Sequence, residues 1–259
     1  MPTVEVYAHE TLGKDLHALT FASPIDLRAN HCQPGQFLHI RVSRSFDFLL
    51  RRPLSLCDAD VEHNRLTVVY RVSGEGTRRL AARKPGDLID VLGPLGQGFP
   101  IHDMDRRALL IGGGVGVPPL LELAKQLRAS GKSVQTVVGF QTAGQLMLIE
   151  ELAVYGEVAV MTDDGSAGER GRVTAALTAE LCADADRYYA CGPSVMLRAV
   201  QEEMSGKGVP GYLSLEERMG CGIGICVGCV HPVLRGGKLA NAKTCRDGPV
   251  FDAQEVVFP

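Results

Sequence analysis

The chain of 259 residues has no tryptophan, few aromatic residues of any kind (5%) and no excess of positive charge. Lysine and arginine number 27 against 30 aspartates and glutamates, giving a formal net charge of −3. That balance supplies no basic field for nucleic acid or for an anionic membrane surface. No apolar run reaches the roughly 18 residues a membrane span needs. The start, Met1-Pro2-Thr3-Val4-Glu5-Val6, has neither a basic nor an apolar stretch and does not read as a signal peptide. A cytoplasmic location is therefore expected. Repeats and low-complexity tracts are lacking, and the seven histidines show no paired spacing that would suit a metal. What remains is an ordinary globular balance, 45% hydrophobic and 22% charged, long enough for one large or two to three small domains. The 30 glycines point to many tight turns, and eight cysteines without export features favour metal binding or redox work over disulfides.

Four of those cysteines carry most of the information. Cys221, Cys226, Cys229 and Cys245 follow a C-x4-C-x2-C spacing, with 15 residues between the third and the last. This is the plant-type [2Fe-2S] ferredoxin spacing. Two irons with two terminal positions each require four thiolates. Gly220, Gly222, Gly224 and Gly228 allow one loop to wrap such a core and to aim N–H groups at its sulfurs. Cys226-x2-Cys229 alone also suits a structural zinc knuckle, which leaves a zinc-stabilised module open. Cys32, Cys57 and Cys182 lack ligand spacing and read as core.

The fold expected is mixed β and α/β. Residues 1–101 alternate short β-patterned runs (4–7, 17–21, 37–42, 54–57, 65–72 and 88–92) with turn signals, as in an antiparallel β-barrel. Residues 102–210 alternate strands (108–111, 134–140, 158–161, 188–191) with helices (118–128, 146–152, 173–181, 194–204), as in a doubly wound parallel sheet. Residues 206–211 read as a linker. Residues 211–259, rich in glycine and cysteine, read as a small iron–sulfur domain that the cluster would cross-link.

In the barrel, Arg52-Pro53-Leu54-Ser55 sets a guanidinium and a hydroxyl three residues apart, suited to grip a pyrophosphate. Val69-Tyr70-Arg71 ends a later strand. Gly74-Glu75-Gly76-Thr77 then precedes a helix expected over 78–83, whose N-terminus favours an anion. Together these resemble the R-x-x-S flavin site of the ferredoxin–NADP reductase superfamily. The resemblance implies that Arg52 and Ser55 reach FAD phosphate or ribityl atoms. It also implies that Val69, Tyr70 and Arg71 lie along the isoalloxazine and that Gly76 and Thr77 hold the pyrophosphate. Pro53 and Leu54 stand where that superfamily often has an aromatic residue, so ring stacking from the motif is lost.

Gly112-Gly113-Gly114-Val115-Gly116-Val117-Pro118-Pro119 follows the first strand of the second region and opens a helix. Glycines admit a dinucleotide pyrophosphate, and proline suits the first helical turn. The pattern is not G-x-G-x-x-G; it is similar to the G-G-x-G-x-x-P turn of the same superfamily. Cys191-Gly192-Pro193 followed by Met196 resembles its C-G-P-x-x-M motif, which flanks the nicotinamide. Asp163 and Asp164 would repel a 2′-phosphate, which leans towards NAD over NADP, although Arg170 and Arg172 stand nearby.

The order of motifs, with the segments 212–219 and 245–251, resembles the electron-transfer subunits of dihydroorotate dehydrogenase B. The resemblance implies FAD, a [2Fe-2S] cluster and NAD as cofactors. It implies as partner an FMN-containing dihydroorotate dehydrogenase catalytic subunit, in a heterotetramer with two copies of each chain, serving pyrimidine synthesis. The small subunits of ferredoxin-dependent transhydrogenases and sulfide dehydrogenases share the plan, but commonly place aspartate where Cys221 stands. A self-sufficient NADH reductase is a further alternative.

Overall fold

The computed structural model describes residues 3–43 and 48–258. The first six strands are β1 (Thr3–Gly13), β2 (Leu16–Ala22), β3 (Phe37–Arg41), β4 (Arg52–Asp60), β5 (Arg65–Arg71) and β6 (Leu88–Leu95). They form a closed antiparallel barrel in the order β1-β2-β5-β4-β3-β6. Closure removes the sheet edges that would otherwise invite pairing with other chains. Leu19, Phe21, Leu38, Ile40, Leu56 and Leu66 point inward and are fully buried. Helix α1 (Glu75–Ala81) begins earlier than the pattern suggests. The Thr77 hydroxyl draws in the preceding turn by accepting the N–H groups of Ser73 and Gly74 at 3.0 and 3.2 Å.

Strand β3 does not alternate: Phe37, Leu38, His39 and Ile40 are all buried. Leu38 and Ile40 fill the barrel. Phe37 packs with Met219, Cys229 and Cys245, and His39 lies against Gly222, so the cysteine loop covers the strand's outer face.

The second half is built on β7 (Arg107–Gly113), β8 (Ser133–Phe140), β9 (Glu157–Thr162), β10 (Glu169–Arg170), β11 (Arg187–Cys191) and β12 (Gly211–Ser214). It is completed by a hairpin, β13 (Val230–Arg235) and β14 (Lys238–Lys243), and by β15 (Val250–Asp252). The sheet order is β10-β9-β8-β7-β11-β12-β15, parallel except for β15. Its helices are α2 (Pro118–Ala129), α3 (Ile149–Ala153), α4 (Ala179–Ala183) and α5 (Ser194–Gly206); a single turn, α6 (Thr244–Asp247), follows the hairpin. In α2, Leu120, Leu123, Ala124 and Leu127 are buried at helical spacing. They pack with Leu110 on one face of the sheet. Leu197, Val200 and Met204 of α5 pack with Leu109 and Ile111 on the other. The chain leaves β7 towards β8 and β9, then returns to place β11 and β12 on the opposite side. The switch point, where open α/β sheets bind ligands, therefore falls between β7 and β11. Among the described residues no helix is long and apolar enough to cross a membrane.

Three further sequence expectations change. The helix expected over 146–152 begins at Ile149, because Leu146 is extended and Leu148 left-handed while Met147 fills the core. The helix expected over 173–181 is a 3₁₀ turn, Val173–Ala176, and then α4. The break comes at Leu177, and the Thr178 hydroxyl caps α4 by accepting the Leu181 N–H. The linker expected over 206–211 is not one: Gly206 ends α5 and Gly211 opens β12. Strands β12 and β15 from the segment 211–259 thus extend the central sheet, while the residues between them, with the tail after β15 that pairs Val256 with Val233, stand off it.

Candidate functional site

A cleft of about 390 Å³ opens between the barrel and the C-terminal segment. Arg52, Pro53, Leu54 and Ser55 of β4 line it, with Val69, Tyr70 and Arg71 of β5 and Thr77 of α1 alongside. The Arg52 guanidinium is steered by the Leu50 carbonyl (2.8 Å) and lies over Gly76, where a Cβ would fall 2.7 Å from Nε. Gly76 is buried beneath that guanidinium and does not itself line the cleft. The neighbouring Arg51 faces elsewhere and forks onto both Asp90 carboxylate oxygens at 2.9 Å. The Tyr70 hydroxyl turns to His9 Nε2 (3.3 Å), so its ring packs within the barrel. Phe37 of β3, paired with Ser55, and Leu215, Glu216, Met219 and Pro249 of the C-terminal segment complete the lining. Sequence reasoning missed these residues. They are far apart in the chain, and no local spacing marks them.

A second cleft, of about 630 Å³, sits at the carboxyl ends of the parallel strands. Gly113 and Gly114, Pro193 and Met196, Asp163 and Arg172 line it. Asp164 does not; its carboxylate accepts the Ser166 N–H at 3.0 Å. Of the remaining expected residues, Gly112, Gly116, Pro118, Cys191 and Gly192 lie behind the cleft wall. Gly112 lets α2 approach β7, with Val117 and Leu120 close against it. Gly116 packs directly on the Cys191 carbonyl, leaving no room for a Cβ. Pro118 starts α2 and is buried. Gly192 packs against Met196. Burial, helped by the Glu216 charge, pushes the Cys191 thiol up to about 12. Arg71 and Val115 line both clefts, so the two adjoin.

The four cysteines come together in two pairs. Cys221 neighbours Cys226, whose N–H donates to Cys221 Sγ at 3.4 Å. Cys229 neighbours Cys245, which receives the Gly224 N–H at 3.2 Å. The loop can turn this tightly because Gly222 adopts φ +72° against His39. The N–H of Cys226 first, and that of Ile223 next, lower the Cys221 thiol to about 6, which favours the thiolate a metal requires. Burial and the adjacent Cys229 push Cys245 up to about 12. Among the described residues no three Cys, His, Asp or Glu side chains gather tightly enough for one ion. Four cysteines in two pairs match the number and pairing of terminal ligands that a two-iron core takes. Buried Cys229 and Cys245 pack on Phe37 and Met219, the same side chains that wall the barrel cleft.

Barrel cleft, sheet cleft and cysteine loop, each touching the next, define an iron–sulfur reductase on the ferredoxin–NADP reductase plan. A family model described as "Iron-sulfur cluster binding domain of dihydroorotate dehydrogenase B" matches residues 216–257, and one described as "Oxidoreductase NAD-binding domain" matches residues 110–202. The dihydroorotate dehydrogenase B (NAD(+)) electron transfer subunit of Geobacillus kaustophilus is 55% identical over 87% of this chain and 87% of its own length. That of Geobacillus thermodenitrificans is 47% identical over 98% and 97%. The chain belongs to the family of dihydroorotate dehydrogenase B electron transfer subunits. Among solved structures, a chain of an NADH-dependent reduced ferredoxin-NADP oxidoreductase, studied for flavin-based electron bifurcation, superposes with a TM-score of 0.86 at 32% identity. It covers 99% of this chain and 90% of that one. The FAD/NAD binding domain of a Vibrio cholerae nitric oxide dioxygenase, at 22% identity and a TM-score of 0.68, shares the fold over 80% and 93%.

Proposed function

We propose that this chain takes electrons from an FMN-containing dihydroorotate dehydrogenase catalytic subunit. It passes them by way of a [2Fe-2S] cluster and FAD to NAD+, in the cytoplasm, as part of UMP synthesis. Cys221, Cys226, Cys229 and Cys245 hold the cluster. FAD takes the barrel cleft, its phosphates on Arg52, Ser55 and the turn of Gly76 and Thr77, its ring along Val69, Tyr70 and Arg71. NAD takes the sheet cleft, with its pyrophosphate against Gly113 and Gly114 and its nicotinamide near Pro193. Gly112, Gly116, Pro118, Cys191 and Gly192 shape that cleft from behind. FAD supplies the exchange between single electrons and hydride.

The observation that carries this reading is the sharing of walls. Arg71 and Val115 belong to both clefts, and Phe37 and Met219 separate the barrel cleft from the Cys229–Cys245 pair. Three redox groups seated in these places are in sequence, with protein contact at each step. The identity of 55% to a dihydroorotate dehydrogenase B subunit supports the choice of donor. Two copies of each subunit is the stoichiometry proposed.

The test is anaerobic co-expression with a dihydroorotate dehydrogenase catalytic subunit. The expected result is a complex containing FMN, FAD, iron and sulfide that forms NADH from dihydroorotate and NAD+. A chain that binds its cofactors but neither joins that subunit nor supports dihydroorotate-dependent NADH formation would overturn the assignment of the donor.

A further inference from the structure

The loop and the turn that supply the four cysteines are joined by a side chain that is not a cysteine. Lys243, the last residue of β14, extends its ammonium to the Gly224 carbonyl at 2.7 Å. The same Gly224 points its N–H at Cys245 Sγ, 3.2 Å away. Its φ of +82° makes this double orientation attainable, and the Arg246 side chain closes over its α-carbon. Lys243 is itself fixed, because its N–H donates to Asp247 Oδ2 at 2.8 Å. The next residue, Thr244, donates its N–H to the Cys229 carbonyl at 2.9 Å. The cation is therefore set at one place beside the cysteine loop by contacts on both sides.

We infer that Lys243 is a positioning residue that sets the reduction potential of the cluster, an inference that rests on the cluster reading above. It acts in two ways with the same sign. Holding the Gly224 carbonyl keeps the Gly224 N–H on Cys245 Sγ, and hydrogen bonds to ligand sulfur favour the more negative, reduced form. The fixed positive charge favours that form as well. Reduction adds one electron and no proton, so the effect belongs in the midpoint potential.

The experiment is a mediated dithionite titration of the anaerobically purified chain, followed by electron paramagnetic resonance, for wild type, Lys243→Met, Lys243→Gln and Lys243→Arg. Iron, sulfide and flavin contents are measured on each. Lys243→Met is expected to disfavour reduction about tenfold or more, a shift of roughly 59 mV to lower potential for a one-electron couple. Lys243→Gln, which keeps a donor without charge, should fall between Met and wild type, and Lys243→Arg should lie nearest wild type. If Met destroys the cluster, the Gln and Arg variants decide by their order. A Met or Gln variant at the wild-type potential overturns the inference, and so does an Arg variant that falls as far as Met or loses the cluster. Wild-type protein without iron and sulfide would instead overturn the cluster reading itself.

Discussion

Glu122, in the middle of α2, accepts the backbone N–H of Ala59 in the barrel strand β4 at 2.9 Å. The carboxylate is 2% exposed and also meets Lys125 at 2.7 Å. Lys125 reaches across in turn to Asp58 at 2.6 Å and to the Ala59 carbonyl. This cluster locks the helix that opens at the sheet cleft to the strand that carries Arg52 and Ser55. Glu122→Ala leaves the Ala59 N–H without a partner, and a cost of about 1–3 kcal/mol is expected. A lowered urea midpoint measures it, and slower reduction of FAD by NADH should accompany it.

Adjacent arginines should behave differently. Arg52→Ala is expected to weaken FAD retention by about 1.5–3 kcal/mol, the scale of a charged hydrogen bond. Flavin content after dialysis reports it, and unchanged occupancy would place the phosphate elsewhere. Arg51→Ala strands Asp90 and should lower thermal stability while flavin affinity changes little.

Gly116→Ala drives a methyl group into the Cys191 carbonyl and so pushes the glycine turn off β11. NADH binding should weaken about tenfold, near 1.4 kcal/mol, with FAD still in place. Stopped-flow reduction at varied NADH concentrations tests this; an unchanged apparent Kd counts against it.

Cys226→Ser should abolish the iron–sulfur signal and leave reduction of FAD by NADH intact, because the two clefts adjoin at Arg71 and Val115 without the cysteine loop. Loss of that reduction with FAD still bound would contradict the division of labour.

Asp186 accepts the N–H groups of Arg106 and Arg107 at 2.7 and 2.8 Å, and these bonds hold its carboxyl below the ordinary value. A lowered native pKa contributes stability above the unfolded value, about 3.9, and loses it as pH falls through the native one. The carboxylate is near the surface, so the contribution is about 1 kcal/mol or less. Asp186→Asn should melt slightly lower than wild type at pH 7, and the difference should shrink as pH falls below the unfolded value.

Much of this was legible in the sequence. The barrel and sheet patterns, the cysteine spacing and the Arg52–Ser55 motif are local, and each reports on its own neighbourhood. What remained hidden was of long range. Phe37 reads as one more apolar strand residue, and nothing near it announces that Met219, Cys229 and Cys245 will cover it. Glu122 occupies an apparently polar position on an amphipathic helix, and only docking onto β4 explains its burial. Gly206–Gly211 has a linker's composition, yet glycine is what Gly211 must be for the Tyr188 ring to pack over it as β12 joins the sheet.

Strands β12 and β15 also decide what kind of relay this chain is. The iron–sulfur portion is stitched into the nucleotide sheet at both its entrance and its exit, so it has no tether on which to swing. A ferry-like carrier that visits donor and acceptor in turn is ruled out by that stitching. Electrons would have to reach the cluster where it sits, and the transfer step between it and FAD should be indifferent to solvent viscosity.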